Sequence, residues 1–120
     1  MTRDLRLYFT DIVESIAKIE EYTQSIDEVA FQKNTQVQDA VLRRLEIIGE
    51  AAKKVPRDFR EKYPQVPWRN MAGLRDVLVH EYFGVNLKRA WKVVKEDLPA
   101  LKPRLLEAKR DLDARSLWRE

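Results

Sequence analysis

Asn34-Thr35-Gln36-Val37-Gln38-Asp39-Ala40-Val41-Leu42-Arg43-Arg44-Leu45-Glu46-Ile47-Ile48-Gly49-Glu50-Ala51-Ala52-Lys53-Lys54-Val55 is the stretch that decides the fold. Val37, Val41, Leu45, Ile48, Ala52 and Val55 recur at steps of three and four, which draws one apolar stripe along a helix. Ala40, Ile47 and Ala51 widen it on one side. Asn34 stands where an N-cap belongs, so the spacing predicts a helix over 35–55. Gly49 is the odd residue inside it. Glycine in a helix interior costs about 1 kcal/mol relative to alanine. Close approach of another backbone at the stripe's edge would explain its presence.

Working outward, the same period continues. Leu5, Tyr8, Phe9, Ile12, Val13, Ile16, Ile19 and Tyr22 mark a first helix over 5–22, with Thr2 or Asp4 as its cap. Ser25-Ile26-Asp27-Glu28 has the form of a capping box opening a short helix through Phe31. Pro56 ends the long helix, and 57–63 forms another short one. Pro64 and Pro67 bracket a turn. Pro67 or Trp68 starts a further helix to about Tyr82, with Gly84 placed as its C-cap. Asn86 caps a helix over 87–97. Pro99 starts the last helix, which runs to near Leu117 and which Pro103 should bend or delay. The chain has only 3 Gly and 5 Pro, and no long alternating run. The expectation is an all-α, up-and-down antiparallel bundle of about four main helices plus short ones, in one domain over 1–120.

Composition narrows the chemistry. There is no cysteine and one histidine. Disulfides and thiolate metal sites are excluded, and a zinc site within one chain is not expected. The absence of cysteine fits a reducing cytoplasm. No apolar run approaches the ~20 residues of a membrane span. The formal charge is +3 but unevenly spread. Residues 1–31 carry 3 Lys/Arg against 7 Asp/Glu, whereas 32–86 carry 10 against 7 and 87–120 carry 10 against 6. The acidic first helix and the basic later ones can pair within the fold or across a dimer. Trp68, Trp91 and Trp118 sit at packing positions and are read as core, not as stacking platforms for bases.

The single histidine lies in Arg75-Asp76-Val77-Leu78-Val79-His80-Glu81-Tyr82. Imidazole titrates nearest to neutral pH, and guanidinium is a permanent, forked partner for phosphate oxygens. Asp76 shares a helical stripe with His80 and can fix its tautomer. On a regular helix, Arg75 and His80 point roughly 140° apart. The pair therefore makes sense at a helix end that opens into a cleft. Acid–base cleavage of a phosphodiester uses two proton-transfer groups. A two-fold dimer in which motif helices meet would supply two histidines. Glu50, at the margin of the long helix's stripe, could support the site by reaching a cation such as Arg75.

The string Trp68-Arg69-Asn70-Met71-Ala72-Gly73-Leu74-Arg75-Asp76-Val77-Leu78-Val79-His80-Glu81-Tyr82-Phe83 resembles the signature of the HepT-like toxins of the HEPN superfamily. That signature is Arg, a polar residue, a short spacer, His, any residue, Tyr. Leu45-Glu46-Ile47-Ile48-Gly49-Glu50-Ala51 resembles the family's second recurrent segment. The resemblance spans essentially the whole chain. It implies a metal-independent endoribonuclease of a type II toxin–antitoxin system, without cofactor, in which Arg75 and His80 are catalytic. It also implies a homodimer with a composite cleft and a minimal nucleotidyltransferase antitoxin as partner. That partner would neutralise the toxin by AMPylating Tyr82 (O-AMP-tyrosine). The alternative is a non-catalytic helical adaptor that binds a nucleotidyltransferase and presents a docking or modification site. An RNA- or DNA-binding module without chemistry fits less well, because the basic residues are scattered.

Overall fold

The computed structural model describes residues 4–74 and 86–118, with side chains to 114. Every regular element among them is helical: α1 (Leu5–Thr23), α2 (Glu28–Lys33), α3 (Thr35–Lys54), α4 (Arg57–Lys62), α5 (Trp68–Ala72), α6 (Leu87–Lys92) and α7 (Leu98–Trp118). A single wide π-helical turn over Val93–Asp97 joins the last two. The all-α expectation holds.

Helix starts follow from local side-chain chemistry. Asp4 caps α1 by accepting the Arg6 amide at 2.9 Å. Hydrogen bonds from the Arg6 side chain and amide hold the Asp4 carboxyl below its usual 3.8, at about 2. The Asn34 side-chain oxygen accepts the Val37 amide at 3.1 Å, and Asn86 accepts that of Arg89 at 3.1 Å. Each satisfies one of the amides that a helix N-terminus leaves without a partner. The short helix after the first turn departs from expectation. Asp27, not Ser25, is its cap, accepting the Ala30 amide at 2.8 Å, so the helix opens at Glu28 and runs past Phe31 to Lys33.

The core forms where the stripes meet. Phe9, Ile12, Ile16 and Ile19 of α1 face Val41, Leu45, Ile48 and Ala52 of α3, all buried. These two helices share the main packing contact, with α7 against α1 and α5 against α3. Leu98, Leu101, Leu105 and Ala108 complete the core from the C-terminal side. Phe31 of α2 lies against Trp91 of α6, ring centroids 5.1 Å apart. One pairing between the acidic first helix and the basic last one is realised within the fold, Lys102 to Glu20 at 2.7 Å.

The expected break near Pro99 is corrected. α6, the π turn and α7 form one column from Leu87 to Trp118. The buried residues Ala90, Val94 and Leu98 are spaced four and four. Two such steps overshoot the turn of an α-helix by about 80° in total. A wider turn brings them back into line, with the Leu98 amide donating to the Val93 carbonyl five residues back. Pro99 then falls in the first turn of α7, directly after the π turn. Pro103 neither delays nor ends α7. Buried Leu101 and Leu105 anchor the helix on both sides of it.

Candidate functional site

Trp68 starts α5 as the sequence predicts. Its ring is buried edge-on to Phe9, and its indole N–H donates to the Tyr63 carbonyl at 3.1 Å. The rest of the motif segment, with Arg75, Asp76, His80 and Tyr82 and the Gly84 cap, lies outside the described residues. What the structure supplies is the frame on either side of it.

Gly49 explains itself here. A β-carbon at this position would stand 3.3 Å from the Met71 carbonyl oxygen and 3.4 Å from that of Ala72. The long helix therefore lies directly against the last turn of α5. The two segments that carry the family resemblance touch at this point. A bulkier residue must push the α5 carbonyls away, and overpacking of this kind typically costs about 1–3 kcal/mol. Gly49→Val is expected to lower the urea midpoint accordingly. An unchanged midpoint would show that the contact yields freely.

Glu50, next in sequence, is exposed and pairs with Lys53 of its own helix at 3.5 Å. That is the ion pair the described residues provide for it, a solvated pair of small energetic weight. The tryptophans behave as packing residues where their side chains are described. Trp91 is sandwiched between Phe31 and the Lys95 ammonium, which sits 4.9 Å from its ring centroid. The Trp118 side chain lies outside the described residues.

A cleft of about 790 Å³ opens between α5 and the α6 column. Arg69 lines it from one side, and Lys88, Arg89 and Lys92 from the other, with Asp97 as its single carboxylate among the described residues. Leu74 and Asn86 also line it. These are the described residues immediately before and after the motif segment. The two residues that flank that segment thus line a cationic cleft. Among the described residues, Arg69, Lys88 and Lys92 have no salt-bridge partner, so their charge faces the open space. The sequence showed a net basic stretch over 87–120 but did not single out these residues. The signal was there in part: Lys88 and Lys92 are one turn apart on one helical face. Arg69 joins them only through the fold. No group of three or more His, Asp and Glu suited to a metal ion occurs among the described residues.

With this geometry, the comparisons define the class. The family model for HepT-like ribonucleases matches residues 12–108, and the chain belongs to that family. It is 50% identical over 102 residues to the "Probable ribonuclease HepT" of Thermococcus cleftensis, covering 85% of this chain and 93% of that protein. A "Putative RNase" of Methanocaldococcus jannaschii is 48% identical over 100 residues, covering 83% of this chain and 92% of the relative. A third relative, from the same archaeon, is named "Gamma-glutamylcyclotransferase and putative RNase" and is 49% identical over 113 residues. This chain spans only about half of it (51%). No solved structure matches the chain with comparable significance.

Proposed function

We propose that residues 1–120 form a single helical domain that acts as the toxin of a type II toxin–antitoxin system, a metal-independent endoribonuclease of the cytoplasm. The observation that carries this reading is the cleft. The motif's two flanking residues, Leu74 and Asn86, line a cavity walled by Arg69, Lys88, Arg89 and Lys92. Clustered cations of this kind attract and hold the phosphates of a polyanion.

In the proposed reaction, an imidazole takes the proton from a ribose 2′-hydroxyl. The 2′-oxygen forms a bond to phosphorus as the bond from phosphorus to the 5′-oxygen breaks. A protonated imidazole gives that leaving oxygen its proton. The products are a 2′,3′-cyclic phosphate and a 5′-hydroxyl. Arg75 stabilises the charge that develops on the phosphoryl oxygens. Asp76 orients His80, and Glu50 supports the site from the neighbouring helix. Each chain has one histidine, so two proton-transfer groups imply a homodimer with the cleft shared across its axis.

The same reading gives Tyr82 its role as the off-switch. A nucleotidyltransferase antitoxin would join the Tyr82 phenol oxygen to the α-phosphorus of ATP, with loss of the phenolic proton and release of pyrophosphate. The added phosphate beside Arg75 and His80 would fill the RNA-phosphate site and repel RNA. Two measurements test these claims. Cleavage of RNA is expected to persist in EDTA, and loss of activity on chelation would point to a metal mechanism. Mass spectrometry after co-expression with the partner is expected to find AMP on Tyr82. An unmodified Tyr82 in an inactive complex would leave neutralisation to complex formation alone.

A further inference from the structure

Arg69 borders a second recess as well as the cleft. This recess measures about 480 Å³ and is lined by Arg57, Arg60, Glu61, Trp68 and Arg69. Arg57, Arg60 and Glu61 are spaced i, i+3 and i+4 on α4, so they share one face of that helix. Among the described residues the recess has one carboxylate, and it is engaged: Arg57 Nε donates to Glu61 at 3.1 Å. Arg60 and Arg69 have no salt-bridge partner among the described residues. Arg60 Nε is shielded from solvent and has no hydrogen-bond acceptor among the described residues. Buried donors in folded proteins are almost always satisfied, so an unsatisfied one calls for a reason. A guanidinium cannot shed its proton to relieve the cost. Movement of the Arg60 side chain onto an anion in the recess would supply the missing acceptor, and the forked donors of arginine suit phosphate oxygens.

We propose that Arg57, Arg60 and Arg69 form a phosphate subsite that holds the RNA strand outside the cleft, continuous with it through Arg69. This inference rests on the ribonuclease reading and adds where the strand runs. It also sets the kind of recognition. Trp68, the aromatic residue of the recess, is buried and its indole N–H is already used, so it offers bases no stacking platform. Contacts through phosphates alone carry no base sequence, and binding at this subsite is sequence-tolerant.

The test uses the full chain carrying His80→Ala, so that RNA is bound without being cut. Affinity for a long single-stranded RNA is measured against salt. For single strands, each lost phosphate contact flattens the slope of log K against log salt by about 0.7. Arg60→Gln is expected to lower it by about that amount, and Arg57→Gln with Arg60→Gln by about twice as much. The loss is expected to be equal on RNAs of unrelated sequence. Arg57→Lys with Arg60→Lys restores most of the slope, because the charges remain. Lys33→Gln and Lys54→Gln, on exposed faces of α2 and α3, serve as controls and leave it unchanged. With His80 present, the double glutamine variant raises KM on long RNA more than on a dinucleotide, at constant kcat.

An unchanged slope in a protein that still cleaves RNA overturns the subsite and spares the ribonuclease reading. Equal losses on long RNA and dinucleotide also overturn it, since the arginines would then be supporting the fold of the cleft. Wild-type protein that neither binds nor cleaves RNA overturns both.

Discussion

His80→Ala is expected to abolish RNA cleavage while leaving the helical fold intact. Removing a positioned general acid or base typically costs about a hundred- to ten-thousand-fold in rate. The loss should lie near the upper end here, because one substitution removes both imidazoles of the proposed dimer. Arg75→Ala is expected to fail comparably, for a different reason. Its guanidinium matters most when charge builds on the phosphoryl oxygens, so kcat should fall more than substrate affinity. Growth arrest on expression should disappear with either change. The measurement is single-turnover cleavage of RNA beside far-ultraviolet circular dichroism. Wild-type rates in either folded variant would remove the residue from the mechanism. The cleft cations should behave otherwise: Lys88→Gln and Lys92→Gln weaken binding in proportion to the phosphates they contact.

The second large effect is on stability. Phe9→Ala is expected to destabilise the protein by about 3–5 kcal/mol. Phe9 is fully buried and meets Phe59 edge-on at 5.4 Å and Trp68 edge-on at 5.8 Å. It therefore ties α1 to α4 and to the first residue of α5, from which the motif departs. Domains of this size are stable by only about 5–15 kcal/mol, so the loss is a large share of the total. Leu7, two residues earlier and 45% exposed, is the control. Leu7→Ala should stay within about 0.5 kcal/mol of wild type. Urea denaturation measures both. Equal midpoints for the two variants would mean that the aromatic cluster does not hold α5 in place.

What could be read from the sequence follows the range of the forces involved. Asp4, Asn34 and Asn86 were legible as caps because each bonds an amide two or three residues away. The stripes of α1 and α3 were legible because helical period is local. Gly49 was read as a close approach, and the Met71 and Ala72 carbonyls are what approaches it. Pro99 was read correctly as a first-turn residue, but the π turn before it was missed, because the four-and-four spacing of Ala90, Val94 and Leu98 reports packing against other helices and not a local rule. Ser25 was misread because it and Asp27 are both good caps, and the start of the apolar contact at Phe31 decided between them. The cleft was legible only in the one-turn spacing of Lys88 and Lys92. Arg69 and Lys88 are far apart in sequence and come to one cavity only through the fold. Glu50 was singled out as a site residue, and its described partner is Lys53 on its own helix.

The central claim is that Arg75 and His80 cut RNA by attack of the 2′-hydroxyl. The most direct test is the product ends. Purified wild-type protein, free of any partner, is incubated with tRNA and mRNA beside the His80→Ala variant. The account predicts fragments with 2′,3′-cyclic phosphate and 5′-hydroxyl ends from the wild type and none from the variant. Intact RNA in both lanes, or wild-type fragments ending in 3′-hydroxyl and 5′-phosphate, would contradict it.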